Sequence, residues 1–228
     1  VFGLQPVAHV GIQAATSVAD GVGVTFGVVN DVYDDTSVDS SRDKAYYGQV
    51  AFSGDQWGLN VGAIVGKDDS LFDDRNAGNG CKSGDNCNTS VMDVLLSASP
   101  SDNVELWLNF DWARSFGSNT NEGDAYGLAG AGRLAVTDET GIATRVEYIR
   151  SDRSYNNSRG APGGMGELVT WTATVDHELT EGLKIRGEVR WDRNLANNAI
   201  FANGSSGSGA TSSREDQVVG LAEIFYEF

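Results

Sequence analysis

The sequence predicts an all-β protein: a transmembrane, antiparallel, up-and-down β-barrel of about 12 strands, eleven of them visible in this chain. Three observations predict it. Apolar and polar residues alternate almost throughout, with nearly no helical period. The alternating segments run to the roughly 9–11 residues that a tilted strand needs to cross a bilayer. Tight turns alternate regularly with long polar loops, which predicts short periplasmic turns and long extracellular loops.

Taken in order, "HVGIQAATSV" alternates Val10, Ile12, Ala14, Thr16 and Val18 against His9, Gly11, Gln13, Ala15 and Ser17, and turns at Asp20-Gly21 into "VGVTFGVVNDVY". "AYYGQVAF" turns at "SGDQ" into "WGLNVGAIV", and "VMDVLLSAS" turns at "PSDN" into "VELWLNFDW". "AYGLAGAGRLAV" turns at "TDETG" into "IATRVEYI". "LVTWTATVDHEL" turns at "TEG" into "LKIRGEVRWD", and Val218 to Phe228 forms the closing strand. The long loops fall at 34–44, 68–90, 117–124, 152–167 and 194–217. The hairpin spacing would also suit a propeller, but a blade packs four short strands where this chain has two long ones. A soluble sandwich would alternate too, yet its strands are usually five or six residues long.

Aromatic side chains gather near strand ends. Trp57 and Phe228 fall on the tight-turn side, while Tyr46, Trp112, Tyr126, Tyr148, Trp171 and Trp191 fall toward the loops. With Tyr226 on the last strand they read as interfacial girdles, where a ring spans apolar and wet regions.

Composition narrows the function classes. Thirty-two acids against sixteen bases give a net charge of −16, which argues against nucleic acid as a partner. The chain has no apolar run long enough for a transmembrane helix. It opens on "VFGLQPVAHV", unlike a nascent N-terminus or a charged leader, and is expected to be a mature or incomplete chain. Cys81 and Cys87 share one Gly-rich loop, a spacing that suits a disulfide in an oxidising compartment; free thiols or a metal are the alternatives. No metal site and no cofactor is expected.

The face opposite the apolar one carries the chemistry. Arg145, Glu147, Lys184, Arg186, Glu188, Arg190 and Asp192 share it on the later strands, with Glu105 and Asp111 on an earlier one. Arg133 joins them if its strand keeps the matching register. Opposed acids and bases across a lumen set a transverse field that selects ions, or they pair and plug a narrow barrel; both readings stand at this point. The acidic loops hold Asp34, Asp35, Asp68, Asp69, Asp73, Asp74, Glu122 and Asp124, but no Ca²⁺-loop pattern, so a solvated rim is expected. Divalent cations bridging that rim to lipopolysaccharide are an alternative. With two histidines and no nucleophile motif, no enzyme is expected. His9 is expected to face the lumen and His177 the outer surface.

The stretches "VAHVGIQAATSVADGVGVTFGVVNDVYDD" and "YGQVAFSGDQWGLNVGAIVGKD", with the terminal Phe strand and the later "RVEYIRSD" and "RGEVRWDRN", resemble a known family. It is the putative β-barrel porin group of Gram-negative outer-membrane proteins. The resemblance implies a bacterial outer-membrane barrel, seated in the lipid bilayer and its lipopolysaccharide, that passes small hydrophilic solutes or ions by diffusion. A terminal Phe228 on an alternating strand also resembles the signal read by the barrel-insertion machinery. The alternative function is a plugged structural barrel whose acidic loops dock an envelope or surface partner, and a homo-oligomer is compatible with either. Residues 1–228 are expected to form one barrel domain. Because bacterial barrels have an even strand number, at least one further strand is expected before Val1.

Overall fold

The computed structural model describes residues 4–6, 9–30, 32–33, 44–67, 88–116, 123–151, 166–196, 201–202 and 212–227. Ten strands precede the long final loop: β1 (Gly11–Ala19), β2 (Val22–Val29), β3 (Ala45–Ser53), β4 (Trp57–Lys67), β5 (Asn88–Ser101), β6 (Val104–Phe116), β7 (Gly123–Ala135), β8 (Thr140–Ser151), β9 (Glu167–Thr180) and β10 (Leu183–Asn194). Within that loop, β11 (Phe201–Ala202) and β12 (Ser212–Arg214) pair as a small separate hairpin. The last strand is β13 (Asp216–Tyr226), and it lies beside β10. One 11-stranded antiparallel sheet results, in the order β1-β2-β3-β4-β5-β6-β7-β8-β9-β10-β13. Within this sheet every strand neighbours the sheet strand before it, as an up-and-down meander requires.

The registers turn alternation into two continuous faces. One row runs Val61, Val94, Phe110, Leu128, Tyr148, Val169 across six strands. The next runs Leu59, Leu96, Leu108, Gly130, Val146, Trp171, Trp191, Val218. Side chains on this face stand open: Val146 is 52% exposed and Ile224 66%. A contiguous apolar surface spanning the whole sheet far exceeds the patch of a few hundred Å² that a soluble monomer tolerates. Lipid is the solvent that suits it, since the strands pair one another's backbone groups. The opposite face is crowded: the buried Asn109, Asp111, Ala129, Thr170, Thr172 and Asp192 all belong to it. Such asymmetry belongs to a curved sheet with its apolar face convex.

The tight turns step evenly across the sheet. Followed along the hydrogen-bonded rows to β6, the five turns close level with Leu108, Leu106, Val104, then two and four residues beyond. That is a two-residue offset per hairpin, or one per strand. With about 3.4 Å per residue and about 4.8 Å between strands, the offset corresponds to a strand tilt of about 35°, within the range of transmembrane barrels. Two turns depend on glycine. Gly21 and Gly182 have φ of 67° and 77°, and a Cβ at either would sit 2.5 Å from a backbone oxygen, of Ser53 and Glu227 respectively.

Most of the long loops, Cys81, Cys87 and Phe228 lie outside the described residues. So do the acidic residues Asp34, Asp35, Asp68, Asp69, Asp73, Asp74 and Glu122. The loop predicted at 194–217 carries the β11–β12 hairpin, in which Phe201 opposes Arg214 and Ala202 opposes Ser212.

The charged inner wall

The inner wall divides into two regions. Toward the loop ends of β2 to β7, Val29, Ala45, Ile64, Val91, Ala113 and Ala125 form an apolar floor on the concave face. Leu4, Val32 and Tyr33 pack onto it, and the Tyr33 hydroxyl donates to the Leu4 carbonyl at 2.6 Å. Beside Leu4, Gln5 reaches an acidic pair. Asp93 and Asp111 are register partners, and the Gln5 amide donates to Asp93 Oδ2 at 2.9 Å and Asp111 Oδ1 at 3.0 Å. The Asn109 amide also donates to Asp93. Asp111 is wholly buried, and its Oδ2 has no hydrogen-bond partner. The segment Leu4–Pro6 thus lies against the inner wall rather than trailing outside it. Nothing in its composition marks this docking, which the sequence reading missed.

From β6 onward the wall carries charge. All nine charged residues singled out from the sequence lie on the concave face: Glu105 and Asp111 on β6, Arg145 and Glu147 on β8, and Lys184, Arg186, Glu188, Arg190 and Asp192 on β10. Arg133 keeps the matching register, opposite Glu105 and Ala143. Most of the bases are paired. Lys184 Nζ meets Glu227 at 2.7 Å, Arg186 Nη1 meets Glu223 at 2.8 Å, and Arg133 Nη2 meets Asp176 at 3.1 Å. The Arg186 guanidinium also stacks 5.0 Å over the Phe225 ring. Glu188 accepts from the Thr174 hydroxyl at 3.0 Å. Pairs this wet add little to stability; their consequence is the field they impose on whatever passes.

One pair is anchored deeper. Arg190 Nε donates to both oxygens of Asp192 at 3.0 Å, and Nη2 donates to Oδ2 at 2.9 Å. Asp192 is 1% exposed and also accepts from Thr170 and Gln217, each at 2.8 Å. Arg145 differs: its Nε is buried and has no hydrogen-bond partner, and the same holds for the hydroxyl of its register partner Thr172.

The described aromatic residues predicted as girdles lie on the convex face. Trp57 is half-exposed beside the β3–β4 turn. Trp112 Nε1 donates to Asp124 at 3.0 Å, and the Tyr148 hydroxyl donates to Glu167. Trp171 and Trp191 are register partners, and Trp171 Nε1 donates to Thr144 Oγ1 at 3.1 Å. Tyr226 opposes Leu183 at the turn end. Each described ring thus keeps an apolar body outward, with Trp112, Tyr148 and Trp171 holding a polar tip engaged. His177 occupies the convex face and its Nδ1 bonds the Thr140 hydroxyl at 2.9 Å. His9 precedes β1 rather than lying within it; its Nε2 donates to the Val32 carbonyl at 2.9 Å and its ring stacks on Tyr47.

A family model described as "Putative beta-barrel porin-2, OmpL-like" matches residues 1–228. The chain belongs to this porin family. Solved porins share the fold with this porin-2 chain. An anion-selective porin from Comamonas acidovorans superposes with a TM-score of 0.63 at 14% identity, over 96% of this chain and 60% of its own. A porin refined at 1.8 Å gives 0.59 at 8% identity, over 96% and 61%. OmpT, an outer-membrane protein of Vibrio cholerae, gives 0.59 at 14%, over 95% and 64%. The chain therefore spans less than two thirds of the length of these proteins. No curated protein sequence matches it. Family and fold place this porin-2 chain in the bacterial outer membrane.

Proposed function

We propose that the barrel is a passive channel for small hydrophilic solutes or ions, with the charged concave wall of β6 to β13 as its selector. The observation that carries this reading is the exposure of the ion pairs Arg133–Asp176, Arg186–Glu223 and Lys184–Glu227: Arg186 and Glu223 stand 43% and 53% open, where a polar plug would bury its paired charges. The acidic region of Asp93 and Asp111, bridged by Gln5, lies on β5 and β6 of the same concave face. A solute passing along that face meets acidic and basic stretches in turn, whose field selects ions. Arg145, Glu147, Glu188 and Glu105 complete the lining on this reading, and the convex aromatic residues seat the barrel in the bilayer.

Closure follows from direction. β1 runs from the loop end into a tight turn, and β13 runs from the long loop toward the tight-turn end, so the two free edges are parallel. An antiparallel closure takes an odd number of further strands between them. The test of function is conductance of the full-length protein in planar bilayers under a KCl gradient. Reproducible channels whose reversal potential shifts with Arg186→Ala or Arg190→Ala support the reading. A silent barrel that copurifies with another envelope component would replace it with the plugged, partner-docking alternative.

A further inference from the structure

Among the described residues, five bases project from strands onto the concave wall: Arg133, Arg145, Lys184, Arg186 and Arg190. Four sit in ion pairs. Arg145 does not, and its Nε is buried without a hydrogen-bond partner. An N–H of a charged group with no partner in the chain is open to an acceptor that arrives from outside it. Directly across on β9 is Thr172, 5% exposed, whose hydroxyl is also unmet. Directly across from Thr172 on β10 is Arg190. Its Nε and Nη2 are taken by Asp192, while Nη1 enters none of those bonds.

The three side chains occupy one hydrogen-bonded row of three adjacent strands. Register partners in an antiparallel sheet lie about 4.5–5.5 Å apart, so the two long arginine side chains, flanking Thr172, have the reach to converge on one small group. On the other side of Arg145 the row continues through Ala131, whose methyl leaves room. What the row offers is donors: a guanidinium with no counter-ion, a hydroxyl and a second guanidinium edge. A guanidinium fork matches the oxygens of a carboxylate or a phosphoryl group. The neighbouring acids do not fill the role. Asp192 has both oxygens engaged by Arg190, Thr170 and Gln217, and Glu147 has a partner of its own.

We propose that Arg145, Thr172 and Arg190 form an oxyanion-binding subsite on the channel wall, which takes the carboxylate or phosphoryl group of a passing solute. The inference deepens the channel reading and rests on it for its biological use, but binding can be measured without conductance. The full-length protein in detergent is titrated with inorganic phosphate and, separately, with acetate, and heat release is followed. Saturable binding of either probe, weakened at least tenfold by Arg145→Gln and severalfold by Thr172→Val, is expected; the stronger probe identifies the preferred oxyanion. Arg145→Lys should restore part of the affinity, because charge returns without the fork. Arg186→Gln, which removes a paired base two strands from Arg145, reports any loss caused by charge alone. Equal weakening by Arg145→Gln and Arg186→Gln overturns the subsite, as does binding that Arg145→Gln leaves within twofold of the parent. Binding with these sensitivities in a protein that forms no channels upholds the subsite and overturns the channel reading instead.

Discussion

Replacing Arg190 by alanine should destabilise the barrel through the carboxylate it leaves behind. Asp192 is 1% exposed, and three of the hydrogen bonds it accepts come from Arg190. Breaking a fully buried ion pair from one side costs about 3–5 kcal/mol. Two features lower that figure. The Arg190 side chain is 43% exposed, so the pair is only partly desolvated. Thr170 and Gln217 also continue to donate to Asp192, and each bond to a charged group is worth about 1.5–3 kcal/mol. A cost of about 2 kcal/mol results, a factor of about 30 in the unfolding equilibrium. Asp192→Asn keeps the shape and removes the charge, so the double variant Arg190→Ala/Asp192→Asn should cost less than the sum of the singles, by about 1 kcal/mol. Urea unfolding in micelles, followed by tryptophan fluorescence, reads these values, and the midpoint should fall with an unchanged slope. An Arg190→Ala cost below about 0.5 kcal/mol, or strict additivity, would refute the buried-pair account.

Other outcomes follow from the same geometry. Val146→Lys places a charge on the convex face and should cost about 2–4 kcal/mol if that row meets the bilayer midplane, against a much smaller cost for a lysine near a turn; the same urea titration in lipid vesicles checks it. Gly182→Ala forces a Cβ to within 2.5 Å of the Glu227 carbonyl at φ of 77° and should cost more than about 1 kcal/mol, with the loss visible as a lower thermal midpoint. Gln5→Ala removes the donor shared by Asp93 and Asp111, so cation permeability relative to chloride should rise in bilayer recordings; an unchanged reversal potential would place Gln5 away from the conducting path. Trp57, beside a tight turn, should be quenched by lipids brominated near the headgroup more strongly than by lipids brominated deep in the chain, provided that the other tryptophans are replaced by phenylalanine.

The strands were legible because alternation is a two-residue signal written into each one. "LKIRGEVRWD" announces β10 and both of its faces, and the pairing Arg186–Glu223 follows once β13 is set beside it. Strand ends were less legible. β5 begins at Asn88 and β6 runs to Phe116, because pairing extends into polar residues that carry no alternation. The concave face is also less uniformly polar than its charges imply: Ile64 and Val91 lie on it, and only the docking of Leu4, Val32 and Tyr33 explains them. That contact joins residues distant in sequence, and no local pattern encodes it. Likewise, the sequence placed Arg145 and Arg190 together on one face, but which base lacks a partner depends on cross-strand register, fixed only in three dimensions.

The even step of the tight turns makes the sheet a ribbon wound like a screw thread. Over the ten strand steps from β1 to β13 the advance is about ten residues, or about 34 Å measured along a strand, which rivals the thickness of the hydrocarbon layer. Any strand that seats against either free edge has to continue that thread. Entering one residue out of step would present its lipid face to the lumen. Entering two residues out would keep the faces but carry a polar turn about 7 Å off the rim and into hydrocarbon. The pitch already cut into these eleven strands therefore acts as a template, and it dictates to each newcomer both its face and its depth.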